Sequence, residues 1–412
     1  MTEKKDVLII GGGPAGLAAA VKLWEKGIHD ILIVEREKTL GGILRQCIHD
    51  GFGLTRFKTT LSGPEYAQRF ISRVHEEEIA YVTNTTVLDV SSNKLVTLAS
   101  PSGMRFIQTR VVIFAMGCRE RTRGALAIPG ERPVGVFTAG VAQAYINLQN
   151  RMVGNEVVIL GSGDIGMIMA RRLTLEGAHV KAVYEILPTP SGLARNIHQC
   201  LDDYGIPLYL NHTVTNIHGN ARLTGVTIAK VDDRLCPITG TEQDVSCDTL
   251  ILSVGLIPEN ELTKGAEVPL DTHTHGALVD EFFQTERNGF FSAGNVLHVH
   301  DLVDFVSLEA EKMADSVSLY LSEDTLPACP ISIKTGDGVG HVVPQKIGGK
   351  RDVLFSLRPQ AKFGASTLQF LQGGEVIAEK MLRKALPAEM IELTVRKEQF
   401  QETGDVEVRI VC

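Results

Sequence analysis

The chain has 412 residues, a formal net charge of −8, 44% hydrophobic and 22% charged residues. That length predicts two or three domains, and the acidic balance argues against nucleic acid as a main partner, because phosphate binding needs a basic face. Seven cysteines, none in C-x-x-C, fit neither a secreted disulfide framework nor a zinc ribbon; with no apolar run near the roughly 20 residues that cross a bilayer and no leader pattern in "MTEKK", a reducing cytoplasm is expected.

In chain order, "DVLIIGGGPAGLAAAVKLWEKGIHDILIVERE" (6–37) reads as strand, glycine turn, helix, strand. A glycine pair then leads into "GGILRQCIHD" (41–50), which holds Cys47 and His49. The alternating stretch 80–109 predicts a small β-meander, followed by the apolar strand of "RVVIFAMGCRERTR" (110–123). Arg119, Arg121 and Arg123 read as a solvated hinge between domains. "EVVILGSGDIGMIMARRLTLEGAHVKAVYE" (156–185) repeats the opening plan, and "TLILSVGLIPEN" (249–260) repeats the strand ending in glycine. "GFFSAGNVLHVHDLVDFVSLEAEKMADSVSLYL" (289–321) predicts a buried strand, a Gly294-Asn295 turn and a helix with Asp301 as N-cap. The tail beyond 325 alternates like short strands, with Gly373-Gly374 as a hairpin turn.

Gly11, Gly13, Gly16 and Glu35 recur 150 residues later as Gly161, Gly163, Gly166 and Glu185. One G-x-G-x-x-G is weak; two, each between a strand and a helix pattern and each with an acid 19 residues past the last glycine, are strong. The first glycine makes the turn, the second admits a pyrophosphate, and the third lets helix and strand pack. The helix N-terminus then offers N–H groups to phosphate, and the acid can accept from a ribose diol.

These motifs resemble the two-dinucleotide-binding-domain flavoproteins, the superfamily of thioredoxin reductase and glutathione reductase. The resemblance covers roughly residues 5 to 321 and implies an α/β fold. An FAD-binding Rossmann-like domain (1–122 and 263–325) would carry an inserted NAD(H)-binding domain (123–262), with a small all-β domain at 326–412. It implies FAD against Gly11, Gly13, Pro14, Ala15, Gly16, Glu35, Arg36, Gly42, Leu44, Val87, Ala115, Met116, Gly117, Gly294, Asn295, Leu302 and Val303. NAD(H) would lie against Gly161, Gly163, Asp164, Ile165, Gly166, Glu185 and Gly255. "FAMG" stands for an Ala-Thr-Gly motif with Met116 for threonine, and "FSAGN" for a motif ending in Asp, here Asn295, that holds the ribityl chain. Leu302, Val303 and Asp304 would open the helix beneath the flavin, with Asp304 turned away from it.

The departures matter more. Where glutathione-reductase-type members keep two cysteines, this chain has Leu44 and His49, and the stretch 134–145, where thioredoxin reductases place C-x-x-C, has no cysteine. No redox dithiol is therefore expected. "GGILRQCIHDGFG", "RPVGVFTAG" and "GNVLHVHDLVDF" resemble the FAD/NAD-binding subunits of multi-component dehydrogenases: sarcosine, opine and hydroxyproline oxidases, hydrogen cyanide synthase, and flavoproteins encoded beside glycerol 3-phosphate dehydrogenases. That resemblance implies an electron relay between NAD(H) and a partner dehydrogenase subunit, in an oligomer, with a small molecule as terminal donor or acceptor. A self-sufficient NADH oxidase or reductase of a small molecule or quinone, and a non-catalytic nucleotide-binding or redox-sensing subunit, are the alternatives. Candidate catalytic residues are His49, Cys47 and His298. The pair His298 and His300 is read as contact with cofactor or as structure rather than as metal ligands, because no third ligand is evident. His273 and His275 are read as surface.

Overall fold

A computed structural model describes residues 2–412. The chain forms two compact units, one running up to Cys118 and resuming over Pro258–Cys412, the other Arg119–Ile257.

In the first unit, β1 (Glu3–Ile10) lies parallel to β2 (Ile31–Val34), with Val7 opposite Ile31 and Ile10 opposite Val34. Both strands are covered on both faces, so "VLII" and "ILIV" are unbroken apolar runs rather than alternating ones. The helix α1 (Pro14–Glu25) joins them, with Pro14 in its first turn, where a missing N–H costs nothing. A capping box of Ser62 and Glu65 starts α2 (Gly63–Glu76). After β3 (Tyr81–Val82) comes the expected meander of β4 (Thr86–Val90), β5 (Leu95–Ser100) and β6 (Gly103–Phe114). The long β6 pairs with β5 over its first half and with Phe290–Ser292 near its end, while its other edge lies parallel to β1. The strand order is β3-β2-β1-β6-β5-β4. The small side chains Ala18, Ala19 and Ala20 of α1 share a core with Ala310, Met313, Ala314 and Val317 of the long helix Val303–Glu323.

The second unit follows the same plan. Its five strands Leu208–Leu210, His179–Glu185, Glu156–Leu160, Thr249–Leu252 and Val136–Thr138 are neighbours in that order and all parallel. The helix Asp164–Leu175 crosses between Glu156–Leu160 and His179–Glu185, and a three-stranded antiparallel meander (His212–His218, Gly225–Lys230, Gln243–Ser246) completes the unit.

The C-terminal residues build two sheets, of five and three strands, around Phe355 and Phe370 (ring centroids 4.9 Å apart), Leu357, Leu368, Val395 and Val408. Gly373 and Gly374, both at positive φ, make the expected hairpin between Ser366–Gln372 and Glu375–Leu382. These sheets fall within the first unit and carry a hydrophobic core of their own. Arg358 donates to the Val299 carbonyl (3.0 Å) and contacts Asp301 (3.4 Å), and the Met390 amide donates to Asp301 (3.4 Å). Asp301 is thereby taken from the role expected of it: the N-cap of the long helix is Leu302, with no side-chain cap bond.

Candidate functional site

The first glycine turn lies where β1 gives way to α1. Gly11 has φ +108°, and a Cβ there would collide with the Ala115 carbonyl at the end of β6. A Cβ on Gly16 would collide with the Gly11 carbonyl, so turn and helix can close only on glycine. Gly13 differs: an added Cβ meets nothing nearer than the Gly42 Cα at 3.8 Å, so the fold does not require glycine there. Open space beside an uncapped helix N-terminus with no acid in its first turn is the cradle that a pyrophosphate needs. The structure thus gathers Gly11, Gly13, Pro14, Ala15, Gly16, Gly42 and Ala115 at one turn. Gly294 joins them, since a Cβ on it would lie 2.9 Å from that of Ala15.

Glu35, buried at the end of β2, receives the Gly12 amide on one oxygen (2.8 Å) and the Glu37 amide on the other (2.8 Å). Each oxygen keeps a lone pair for a ribose hydroxyl. Arg36 is exposed beside it, Val87 is a core residue of β4, and Gly117 sits in open space at φ +71° beyond Met116. These residues, with the open space beside Gly13, fit FAD.

The second turn copies the first. Glu185 receives the Ser162 amide (2.9 Å) and the Leu187 amide (3.0 Å) on its two oxygens, matching Glu35 bond for bond. It carries two further bonds, from the hydroxyls of Ser162 (2.6 Å) and Ser191 (3.0 Å), on the oxygen already holding the Ser162 amide. Asp164, in the first helical turn where an anion would oppose a phosphate, accepts from the Leu193 amide (2.8 Å) and Asn196 Nδ2 (2.6 Å). The segment from Ser191 to Asn196 is thus strapped onto the turn, a feature not foreseen from the sequence. Gly161, Gly163, Ile165, Gly166 and Gly255 lie within the same unit, with the Ser253 hydroxyl accepting from the Gly166 amide (3.0 Å). An open oxygen on Glu185 and an uncapped helix end fit the adenosine half of NAD(H).

Elsewhere in the first unit, Asp304 is buried and accepts the amides of Gly53 (3.0 Å), Thr55 (3.0 Å) and Arg56 (2.7 Å). Its charge is spent on that loop, which leaves the helix start at Leu302 and Val303 without a free acid. Asn295 Oδ1 accepts from the His300 amide (3.0 Å) and contacts His300 Nδ1 (3.3 Å), while the Gly294 amide donates to Glu309 (2.7 Å).

The candidate catalytic residues fall in different places. His298 is wholly buried behind the Gly294-Asn295 turn, its Nε2 2.6 Å from Glu309, and does not reach solvent. Burial pushes its imidazole below the ordinary histidine range; against burial, which would raise it, the carboxyl of Glu309 is lowered by His298 and His300. Glu309 is the third group that the sequence did not reveal, eleven residues on from His298. His49 is half-buried, with Nδ1 3.0 Å from the Asp50 carbonyl and its ring 4.9 Å from that of Phe52. Cys47 packs its sulfur against the Ile43 carbonyl (3.4 Å), and burial pushes its thiol up to about 12, so it is protonated at neutral pH. Each of the seven cysteines is present as a thiol. His273 and His275 are exposed. No helix among the described residues is long and apolar enough to cross a membrane.

Residues 5–314 match the model of the pyridine nucleotide-disulphide oxidoreductase family, and the chain belongs to that family. Among characterised relatives it is 28% identical, over 71% of its length, to the hydrogen cyanide synthase subunit HcnB of Pseudomonas protegens, and 22% identical, over 72%, to an opine oxidase subunit of Agrobacterium tumefaciens. The chain spans 64% and 62% of those two proteins. The crystal structure of T. acidophilum thioredoxin reductase has the same fold, with a TM-score of 0.63 and 23% identity over 77% of this chain and 98% of that one. This is a flavoprotein of a family that binds FAD and NAD(P)H, related to subunits of multi-component enzymes.

Proposed function

We propose that the protein moves hydride between NAD(H) and FAD and exchanges electrons with a partner dehydrogenase subunit, with no dithiol in the path. One observation supports this above others: two glycine turns with matching carboxylate bonding stand in a chain whose expected thiol positions hold Leu44 and His49. Bound FAD supplies the hydride and electron chemistry, and the protein supplies position and charge. The α1 N-terminus and Gly13 receive the pyrophosphate, Glu35 the ribose, and Asn295 the ribityl chain. The uncapped start of the helix at Leu302 and Val303 offers a positive dipole end for the reduced ring, with the Asp304 oxygens directed to the amides of Gly53, Thr55 and Arg56. His49, half-buried beside Phe52 on the segment that follows the glycine pair, is the side chain offered for proton exchange with solvent. Cys47, held as a thiol, fills space.

The relay role draws on the relatives, both of which are named as subunits. The experiment is anaerobic mixing of purified protein with NADH. Bleaching of bound flavin, passage of electrons to a dye, and slow turnover with small acceptors until a native partner is restored support the reading. A colourless protein that takes up no FAD overturns it, and full turnover without any partner makes it a self-sufficient oxidase or reductase.

A further inference from the structure

Behind the Gly294-Asn295 turn, three side chains converge on one point. His298 and His300 leave the loop with their rings 4.2 Å apart between centroids, and Glu309 rises to meet them from the long helix. Nε2 of His298 lies 2.6 Å and Nε2 of His300 3.4 Å from the same oxygen, Oε2, of Glu309. All three ligand atoms lie within 4.8 Å of one another. The side chains are 0%, 2% and 8% exposed, so water does not compete for them.

The surroundings are those of a ligand set. Glu309 uses its other oxygen for the Gly294 amide (2.7 Å), and His300 turns its other nitrogen to Asn295 Oδ1 (3.3 Å). Ligating carboxylates and imidazoles are oriented by such outer bonds. His298 Nδ1 is buried with no partner, and so is Nε2 of His341 from the C-terminal sheets. Their rings stand edge-on, 5.9 Å apart at 80°. A histidine bound to metal through Nε2 must carry its proton on Nδ1, which then needs an acceptor; neutral His341 is the ring beside it. Two ligand atoms on one tetrahedral zinc stand about 3.3 Å apart. The His300–Glu309 pair already has that spacing at 3.4 Å, and the His298–Glu309 pair, at 2.6 Å, must open to about 3.3 Å to reach it. The nearby Arg358 cation is directed to Asp301 and the Val299 carbonyl.

We propose that His298, His300 and Glu309 bind one divalent cation of the zinc class, with His341 orienting His298. Two imidazoles and one carboxylate favour Zn2+ or a similar borderline ion over Mg2+ or Ca2+, which prefer oxygen ligands. The ion would tie the turn carrying Gly294 and Asn295 to the long helix and to the C-terminal sheets. This inference does not rest on the proposed reaction.

The test uses the full-length protein with whatever cofactor it retains. Zinc content is measured as purified from zinc-replete cells, and Co2+ is then exchanged in and followed by its visible ligand-field bands. One Zn2+ per chain and a cobalt spectrum of low-coordinate N/O ligation are expected. Affinity should fall by at least about a hundredfold in Glu309→Gln and His300→Ala, and by about tenfold in His341→Ala. The exposed pair His273→Ala/His275→Ala should bind as wild type. Folded wild-type protein that takes up neither ion overturns the proposal, whatever the variants do. So does cobalt binding that survives Glu309→Gln but is lost in the surface pair.

Discussion

A methyl group meets opposite fates at Gly13 and Gly16. At Gly16 it collides with the Gly11 carbonyl, whereas at Gly13 it finds room. Gly16→Ala should therefore unfold or badly destabilise the first unit. Gly13→Ala should fold with a melting temperature near wild type yet bind FAD at least about tenfold more weakly, roughly 1.4 kcal/mol. Equal FAD affinity in Gly13→Ala, measured by fluorescence titration of the apoprotein, would move the pyrophosphate elsewhere. A single side chain is predicted to govern nucleotide choice as well. Glu185 is buried, with one oxygen saturated by Ser162 and Ser191 and the other open to one more donor. A ribose 2′-hydroxyl supplies a donor; a 2′-phosphate brings a second anion and none. The mismatch costs roughly 2–4 kcal/mol, so kcat/KM for flavin reduction should favour NADH by about 30- to 1000-fold. Parity between NADH and NADPH in rapid mixing would refute the assignment. Glu185→Ala also frees the Ser191 loop, so its loss of NADH affinity should exceed that of a lost hydrogen bond alone.

Among the connecting elements, the turn at residues 280–284 carries a titration. Asp280 accepts the Phe282 amide (2.9 Å) and the Gln284 amide (3.1 Å). Burial nevertheless pushes its carboxyl up to about 7; the two amides and Lys346 pull it down, while neighbouring Glu281 pushes it up. A carboxyl raised by folding contributes stability that is complete below its unfolded pKa near 4 and is lost as pH climbs through about 7. Stability should therefore decline from pH 5 to pH 8. Asp280→Asn keeps an oxygen for both amides and removes the charge. Its melting curve should be flatter with pH and more stable than wild type at pH 8 by up to about 4 kcal/mol, a rise from 3.8 to about 7 at about 1.4 kcal/mol for each pH unit, converging near pH 4. A variant less stable at pH 8 than wild type would show that the ionised form is the one the fold prefers.

Over the full length of the chain, what was legible in the sequence was local. The two glycine-acid repeats, the meander after β3 and the Gly373-Gly374 hairpin each depend on residues within a few tens of positions, and each formed as expected. What was hidden depends on partners far along the chain. Asp304 serves a loop some 250 residues earlier, Arg358 takes Asp301 away from its expected cap, and Glu309 completes a cluster whose histidines alone looked incomplete. The strap from Ser191 to Asn196 was missed for another reason: serine and asparagine in a Pro/Gly-rich loop signal a turn, and nothing in that signal says what the loop will cover.

If electrons stop at the flavin and reach no thiol pair, counting them will show it. The oxidised protein is titrated anaerobically with dithionite, flavin absorbance being followed against reductant added. Complete bleaching is predicted after two electrons per FAD, unchanged in Cys47→Ser. A requirement for four electrons, with a lag before the flavin bleaches or a long-wavelength thiolate-to-flavin band on the way, would contradict the dithiol-free path and restore a redox disulfide to the site.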